Sequence, residues 1–380
     1  MRKPGTGIGQ VTVHCLQKLT ESGESERDEF FLYSETEPEI SFDVPNNFRM
    51  RSFLPRFWKR DDVVRKILWE KMLASKAQED GCDVFLSLYQ SSTIIPKPIR
   101  HVMVVHDIIP KIFPEYVGNI RQWWYWKQVE RGMRAATALV AISETTKNDL
   151  VEFGLARESI VVAYPDTGPL FSVLPSQEEQ KHVLEKYGLK RGYIYHGGGL
   201  EIRKNTERLL QAYRLLVQKE TDGLLSSPLP PLVISGKIFS PKNPLATPIR
   251  KLLLELGLTE RVHLLDFVPE EDLPALYRGA LFFVFPSLYE GFGLPVVEAL
   301  RMGTPILASD ASSLSEVAGD AALFINPQSV ESIASGIERL LDDGSLRKQL
   351  TDAAPNECAR FSWERFIRTL LLVLKKTETV

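Results

Sequence analysis

The sequence has few cysteines, no excess of one charge and no long apolar run, and each absence removes a class of protein. Its three cysteines, Cys15, Cys82 and Cys358, form no Cys-x-x-Cys pair, so neither a zinc site nor a disulfide framework is predicted. The 46 basic and 49 acidic residues give a net charge of −3, which gives no reason to expect a nucleic-acid partner. No segment approaches the roughly 20 apolar residues that cross a bilayer, and the first residues lack the apolar core of a signal peptide. A cytoplasmic protein is expected.

Two short motifs are also missing. No Asp-x-Asp triplet is present to hold a metal ion, so a site without a metal is expected. No Gly-x-Gly-x-x-Gly stands between a strand and a helix with an acidic residue about 20 positions further on, which argues against a dinucleotide-dependent dehydrogenase. No cofactor is therefore predicted.

The length and the alternation of patterns predict two α/β domains. With 380 residues, 44% of them hydrophobic, the chain can form two separate cores. Short apolar runs alternate with helical patterns, which predicts parallel sheets. The polar, proline-containing segment 171–180 is the predicted hinge, so domains are expected at 1–175 and 176–362, with a final helix within 363–380. The predicted strands are 84–88, 102–105, 138–141, 160–163, 193–196, 232–235, 262–264, 281–285, 306–308 and 323–325. The predicted helices are 9–19, 61–78, 120–135, 144–153, 206–219, 248–256, 270–278, 295–302, 329–342 and 363–375.

One strand–loop–helix segment carries most of the chemical information. The continuous apolar run 281–285 is typical of a parallel strand covered on both faces, and Pro295 suits the first turn of the helix that follows. Gly291 and Gly293 in the loop would let the backbone approach a phosphate, while the free N–H groups of the helix favour an anion. A phosphorylated sugar would fit here. An ordinary strand–turn–helix is the alternative.

Two glutamates flank this loop. Glu290 lies in the loop and Glu298 in the predicted helix, and each could accept hydrogen bonds from sugar hydroxyls; spacing alone leaves open that both are solvated. The string EGFGLPVVEAL that contains them closely resembles the E-x7-E motif of the family 4 retaining glycosyltransferases. The resemblance implies the GT-B fold, an α/β architecture of two Rossmann-like parallel-sheet domains that face each other across a cleft.

The resemblance also implies roles for the residues of this motif. In the family the first glutamate lies against the donor sugar and the second binds the ribose, which places Glu290 at the sugar and Glu298 at the ribose. The loop residues whose amides would face the sugar and its diphosphate are Gly291, Phe292, Gly293 and Leu294. Val268, near the end of another strand, would lie beside the base.

Shorter motifs in the family's order extend the resemblance over nearly the whole chain. Gly7 and Gly9 look like the glycine-rich loop near the donor phosphate and the acceptor. His106 looks like the histidine of the family's His-Asp segment. Arg203 and Lys204 look like the basic pair that reaches the donor pyrophosphate. Each has a plain alternative (a turn, a buried structural histidine, a solvated loop), but each follows a predicted strand, where open α/β sheets bind ligands.

Two departures from the family pattern stand out. Only four residues precede Gly5 in the glycine-rich run, where relatives have a first strand, so either the given start is misassigned or truncated or the first sheet is built without that strand. After the first strand of the second domain, many relatives carry an arginine as a phosphate ligand, whereas this chain has glycine at 197, 198 and 199. The positive charge at the diphosphate would then rest on Arg203 and Lys204.

The resemblance implies a reaction. A hexose, mannose as the first choice, would move from a nucleotide-diphosphate sugar such as GDP-mannose to a hydroxyl of a polysaccharide or lipid-linked glycan, with retention of configuration and without a metal. The diphosphate would accept the acceptor's proton while Arg203 and Lys204 stabilise its charge. The alternatives are a GT-B nucleotide-sugar epimerase or phosphorylase and a catalytically impaired, membrane-associated nucleotide-sugar-binding protein.

Two further clusters remain. Between residues 48 and 76, nine basic residues stand against three acidic ones, a local charge of +6, with aromatic residues among them. This segment would dock on the anionic inner face of a membrane. The alternative is that it forms a solvated helix face. Trp123, Trp124 and Trp126 have helical spacing, which indicates packing rather than a platform for a sugar.

Overall fold

The computed structural model describes residues 7–23, 28–34, 42–53, 63–238 and 243–376. The chain divides into two compact units, one comprising Met1–Asp166 and Phe361–Val380 and the other Thr167–Arg360. The strands are β1 (Phe30–Ser34), β2 (Phe48–Ser52), β3 (Val84–Ser87), β4 (Arg100–Val105), β5 (Ala138–Ala141), β6 (Ile160–Val162), β7 (Tyr193–His196), β8 (Leu232–Ser235), β9 (Val262–Asp266), β10 (Ala280–Phe285), β11 (Ile306–Ser309) and β12 (Ala322–Ile325). The helices are α1 (Gly7–Glu21), α2 (Val63–Glu79), α3 (Ile109–Ile112), α4 (Ile120–Ala135), α5 (Glu144–Glu152), α6 (Gln177–Lys186), α7 (Thr206–Thr221), α8 (Ile249–Glu255), α9 (Leu273–Gly279), α10 (Leu294–Arg301), α11 (Ser313–Ala318), α12 (Val330–Asp342), α13 (Gly344–Cys358) and α14 (Trp363–Lys375).

The strands described in the first unit form two parallel sheets. Strands β3, β4, β5 and β6 form one sheet in that order, and β1 pairs with β2 in a separate sheet. The side chains of β4 are almost completely buried, because helices cover a parallel sheet on both faces. Helix α14, although last in the chain, packs on α1, where His14 lies 5.8 Å from Trp363 between ring centroids.

The second unit is a doubly wound sheet. Its six parallel strands lie in the order β12-β11-β10-β7-β8-β9. The chain begins in the middle at β7, builds outward through β8 and β9, and returns to β10 before building the other half. The order therefore reverses between β7 and β10, and open α/β sheets bind ligands at such a point, beyond the carboxyl ends of the strands.

The α/β class and the parallel sheets predicted from the sequence are confirmed, but several local predictions are not. Strands β1 and β2 were not predicted; four of the five residues of β2 are exposed, so its sequence shows no inward and outward alternation. The segment 171–180, predicted as an irregular hinge, contains the start of α6, where Ser176 and Glu179 form a capping box. The glycine-rich run is predicted as a loop that leads into a helix at residue 9, whereas α1 already begins at Gly7; residues 1–6 lie outside the described residues.

Candidate functional site

The candidate site lies at the carboxyl ends of β7 and β10, where the strand order reverses. Strand β7 ends at His196, whose ring bridges the two halves of the sheet: Nδ1 lies 3.0 Å from the carbonyl of Val284 in β10 and Nε2 3.0 Å from Thr206 Oγ1 in α7. A carbonyl accepts only, so Nδ1 carries the proton and the hydroxyl donates to Nε2. Burial lowers the pKa of His196 to about 4, so this link is neutral.

A buried ionic cluster forms the centre of the site. Glu290 Oε1 accepts hydrogen bonds from Lys204 Nζ and from Ser287 Oγ, both at 2.7 Å, and Oε2 accepts from Arg203 Nη1 at 2.7 Å. Only 6% of Glu290 and 5% of Lys204 are exposed. Arg203 also contacts Glu201, whose carboxylate lies 3.1 Å from Nε. The structure therefore brings together three of the residues that the sequence predicts for this site.

Charge sets the protonation of the cluster. Burial alone would raise the pKa of Glu290, but the charges of Arg203 and Lys204, with the hydrogen bonds from Lys204 and Ser287, lower it to about 2. Burial lowers the pKa of Lys204, and the charge of Glu290 opposes that effect. Since every group that faces Glu290 in these contacts is a donor, we take the carboxyl group as ionised and the lysine as charged.

The turn before α7 aims the two cations. Residues Ile202–Lys204 form one 3₁₀ turn, and Asn205 ends it in the left-handed conformation with φ of 60°. The Asn205 amide donates to the carbonyls of Pro286 at 3.0 Å and Pro327 at 2.6 Å, which ties the turn to the loop after β10. Lys204 Nζ lies 4.7 Å from the centroid of the Phe285 ring. These contacts orient the Lys204 side chain toward Glu290.

A pair of serines fixes the loop that carries Glu290. The Glu290 N–H donates to Ser312 Oγ at 2.9 Å, while Ser313 Oγ contacts the carbonyls of Glu290 at 2.9 Å and Phe292 at 2.8 Å. The Phe292 side chain is 3% exposed, so it anchors the loop in the core and leaves ligand contacts to the backbone. No sequence pattern indicates a role for this serine pair, which reads only as two polar residues shortly after a strand.

Glu298 lies in the second turn of α10, because the helix begins at Leu294 and not at 295 as the sequence predicts. Tyr277 donates its hydroxyl proton to Glu298 Oε2 at 2.7 Å. Burial raises the pKa of Glu298 to about 7, although the Tyr277 hydrogen bond opposes the rise. The carboxyl group therefore titrates near neutral pH, which the sequence could not indicate.

Glycines shape the floor of the site. Gly198 has φ of +92°, and a Cβ there would lie 3.0 Å from Pro295 Cγ in the first turn of α10. A Cβ on Gly236 would lie 2.9 Å from the Cα of Gly199. The loop after β7 therefore packs against the start of α10 and against the loop after β8, as only residues without side chains allow. Gly293 precedes α10 with φ of 101°.

The proposed base-binding residue Val268 and the glycine-rich loop residues Gly7 and Gly9 lie outside the ionic cluster, and their binding roles stay predictions. Val268 is buried, whereas its neighbour Phe267, the residue directly after β9, is 67% exposed. Gly7 and Gly9 lie in the first turn of α1, in the first unit. Among the described residues, no group of three His, Cys, Asp or Glu side chains could hold a metal ion.

His106 follows β4 in the first unit and is 3% exposed. Its Nε2 lies 2.9 Å from the Leu88 carbonyl, and its backbone N–H donates to Gln90 Oε1 at 3.2 Å. Gln90 in turn donates to the Asp107 carbonyl at 3.1 Å. This network fixes the orientation of the ring, and a catalytic role for His106 stays a prediction.

The basic segment 48–76 is spread over β2, α2 and residues 54–62, which lie outside the described residues and include Arg56, Lys59 and Arg60. Four of its described basic residues have acidic partners: Arg49 with Glu29, Arg51 with Asp80, Lys66 with Glu70 and Lys76 with Glu79. Phe53 stacks on Trp69 with ring centroids 4.3 Å apart. Three of these carboxylates, on Glu29, Glu79 and Asp80, lie outside the segment and compensate about half of its local charge of +6, in which Glu70 is already counted.

The tryptophans of α4 differ from one another. Trp126 is buried in the core, as the helical spacing predicts, but Trp123 and Trp124 are 48% and 46% exposed. The packing prediction is wrong for these two, because they fall outside the buried face of α4 that contains Val129 and Met133. No helix in the described part of the chain is long and apolar enough to span a membrane.

Two family profiles match the chain. The one described as "Glycosyltransferase Family 4" matches residues 7–165, and the one described as "Glycosyl transferases group 1" matches residues 176–357. The O-antigen chain mannosyltransferase B of Escherichia coli is 30% identical over 375 residues, 96% of this chain and 94% of that protein. The serotype-specific mannosyltransferase WbdA of Escherichia coli is 29% identical over 88% of this chain, which spans only 40% of that protein.

Solved structures share the fold. The glycosyltransferase WaaG, described as involved in lipopolysaccharide biosynthesis, matches with a TM-score of 0.75 at 15% identity and covers 99% of this chain and 98% of its own. Anabaena HepE in complex with UDP and glucose matches with a TM-score of 0.74 at 16% identity over 99% of this chain and 98% of its own. Identities this low show the architecture alone, which is GT-B.

Proposed function

Because the chain belongs to the family 4 glycosyltransferases, we propose that it transfers mannose, with retention of configuration, from GDP-mannose to a hydroxyl of a polysaccharide or lipid-linked glycan. The observation that carries the proposal is the buried cluster of Glu290, Lys204 and Arg203 at the reversal of the strand order. Relatives named as mannosyltransferases support the choice of sugar.

The cluster and the start of α10 suit a diphosphate. Two cations and the positive end of the α10 helix dipole stabilise the negative charge that develops as the bond between the anomeric carbon and the diphosphate oxygen breaks. The acceptor oxygen forms its bond on the same face of the sugar, and the acceptor proton passes to the departing oxygen. Every group in this step belongs to the chain, the donor or the acceptor, so no metal ion is needed.

Glu290 holds the cations in place before the donor binds. Without the Glu290 carboxylate, Lys204 and Arg203 would repel each other in a buried site. Their long side chains would then no longer be held in a single orientation. In this proposal its carboxylate also faces the hexose and accepts hydrogen bonds from sugar hydroxyls. Glu298 is the proposed ribose ligand, since a carboxylate can accept bonds from both ribose hydroxyls.

The donor is tested by thermal shift with GDP-mannose, GDP-glucose, UDP-glucose and UDP-N-acetylglucosamine. A ligand at 100 times its dissociation constant stabilises the folded state by about 2.7 kcal/mol, and we expect that effect from GDP-mannose. Stabilisation by a UDP-sugar alone would overturn the proposed donor but leave the transfer reaction in place. The anomeric configuration of the product, read by NMR, tests retention, and an inverted product would contradict it.

We also propose that the first unit docks on an anionic membrane surface. Support comes from α4, where Ile120 is 77% exposed beside the half-exposed Trp123 and Trp124, and Arg121 lies among them. Exposed tryptophans next to a basic residue are typical of a membrane interface. The compensated charges of segment 48–76 make α4 the stronger candidate for the contact.

Sedimentation with vesicles that contain phosphatidylglycerol separates the two surfaces. We expect wild-type protein to sediment at low salt and Trp123→Ser/Trp124→Ser to remain in solution at an unchanged melting temperature. If Arg56→Gln/Lys59→Gln/Arg60→Gln alone abolishes sedimentation, the basic segment is the docking surface and α4 is not. If wild-type protein never sediments, the membrane proposal is wrong.

A further inference from the structure

The first unit contains a buried carboxylate that the proposed reaction does not use. Glu70, in the middle of α2, is fully buried. Its Oε2 accepts hydrogen bonds from Ser92 N at 2.9 Å and from Ser92 Oγ at 2.5 Å, and its Oε1 accepts one from the Tyr125 hydroxyl at 3.0 Å. Lys66 Nζ lies 3.9 Å from Oε1. Hydrogen bonds to a carboxylate are roughly twice as strong as neutral ones, so Glu70 holds its partners firmly.

The main partner of Glu70 is the β3 loop, which we define as residues 88–93, directly after β3. The backbone carbonyl of Glu70 also accepts a hydrogen bond from Thr93 Oγ1 at 3.3 Å. Helix α4 contacts the same loop, since a Cβ on Gly132 would lie 2.2 Å from the carbonyl oxygen of Ser91. The last four residues of the loop are each 7% exposed or less. The β3 loop is therefore fixed by both α2 and α4.

The first half of the β3 loop holds His106. The Leu88 carbonyl, 2.9 Å from His106 Nε2, can only accept a hydrogen bond, so Nε2 carries the proton. In the neutral ring, Nδ1 is then the acceptor nitrogen. The Gln90 side chain accepts from the His106 backbone N–H at 3.2 Å and donates to the Asp107 carbonyl at 3.1 Å. The β3 loop thus sets both the orientation of the His106 ring and the position of its backbone.

We propose that Glu70 is a positioning residue for His106 and acts through the β3 loop. The inference rests on the proposed transfer reaction and on the predicted catalytic role of His106, which follows β4 at the edge where open α/β sheets bind ligands. Without the Glu70 carboxylate, Ser92 loses its acceptor and the loop shifts. The Leu88 carbonyl and the Gln90 amide then move, and the ring moves with them. A displacement of about 1 Å, caused far from the chemistry, can lower a rate by about 10²-fold.

Three variants of the full chain separate this role from the packing of α2 on α4. Glu70→Leu keeps the approximate size of the side chain and removes both oxygens. Ser92→Ala removes one loop bond with a smaller change, and it decides the question if Glu70→Leu does not fold. Tyr125→Phe is the matched control, because it removes a bond to the same carboxylate from α4 and leaves the loop contacts in place.

Two readouts are needed, one for the ring and one for the reaction. The first is the ¹⁵N NMR spectrum of protein labelled at histidine, in which His106→Gln identifies the His106 ring signals. The second is the rate of GDP release from GDP-mannose with mannan oligosaccharides as the acceptor. The ring spectrum does not depend on sugar transfer, so failure of the inference and failure of the proposed function can be told apart.

We expect Glu70→Leu and Ser92→Ala to shift the His106 ring signals and to lower the rate, by about 10-fold to 10²-fold for Glu70→Leu, while Tyr125→Phe changes neither. Unchanged ring signals in both loop variants would overturn the proposal, and so would equal effects of Tyr125→Phe. Shifted signals at an unchanged rate would also overturn it, because the ring would then play no part in the reaction. If the wild type releases no GDP, the proposed donor reaction fails, and the ring signals alone decide whether Glu70 orients His106.

Discussion

Replacing Glu290 with glutamine removes the carboxylate that bonds both Arg203 and Lys204 while keeping the side chain's shape. Taking away one partner of a buried ion pair costs about 3–5 kcal/mol, because the remaining charge stays buried without compensation. The depressed pKa gives a similar figure: a fall from the ordinary 4.5 to about 2 corresponds to about 3 kcal/mol. For a unit of the size of 167–360, each kcal/mol shifts the melting temperature by about 2–4 °C, so Glu290→Gln should melt about 6–20 °C lower.

The same charge predicts a pH dependence with a definite sign. The folded-state pKa of Glu290 lies below its unfolded value, so the carboxylate contributes its stability in full above about pH 4.5 and loses it as the pH falls toward 2. The wild-type chain should therefore lose this part of its stability over that window. Glu290→Gln should lack the loss, and the two melting temperatures should converge as the solution becomes acidic.

Calorimetry or circular dichroism from pH 2 to 8 measures both effects, and Glu201→Gln is the matched control. Glu201 also contacts Arg203, but its side chain is 28% exposed, so its loss should cost less than about 1 kcal/mol. If Glu290→Gln melts within 2 °C of the wild type at pH 7, or if both glutamine variants lose the same stability, Glu290 does not stabilise the fold by compensating the charges of Arg203 and Lys204.

Four further results are expected. Lys204→Ala should lower kcat by about 10²-fold in a transfer assay, the scale of one lost electrostatic donor, and added magnesium should not restore it. Chelators should leave wild-type activity intact; an abolished reaction would refute the metal-free step. Glu298→Gln should gain melting temperature relative to wild type as the pH rises from 5 to 8, because the buried carboxyl group, with a pKa of about 7, must otherwise ionise in that range; a constant difference would contradict the assignment. Gly198→Ala should destabilise the chain more than Gly199→Ala, since both have positive φ but only Gly198 would bring its Cβ against Pro295.

The sequence predicted the second unit well because its strands are short, continuous apolar runs. The run that forms β10 ends at Phe285 both in the prediction and in the structure, and the helix after it starts within one residue of Pro295. Runs of this kind, bounded by glycine and proline, have one stable place in a parallel sheet. The carboxyl-edge position of Glu290, Arg203 and Lys204 followed from this regularity.

The remaining features depend on contacts between distant segments. Strand β2 was not predicted because Arg49, Met50 and Arg51 are exposed and show no apolar alternation. Its pairing with β1 depends on tertiary contacts that a local pattern does not encode. The hydrogen bond from Ser287 to Glu290 spans three residues, but the direct salt bridge from Lys204 spans 86, and no local pattern encodes it. The raised pKa of Glu298 likewise arises from burial, which only the packed fold creates.

The left-handed Asn205 couples two parts of the second unit that are far apart in sequence. Its amide bonds the loop after β10 at Pro286 and the loop after β12 at Pro327, while Arg208 donates to its Oδ1 at 2.9 Å. Asn205 is therefore held by three contacts in a conformation that most side chains avoid. The turn that carries Lys204 cannot move without breaking the hydrogen bonds to both loops. The side chains of Arg203 and Lys204 are therefore already ordered before binding. A diphosphate should bind them with little further loss of side-chain entropy.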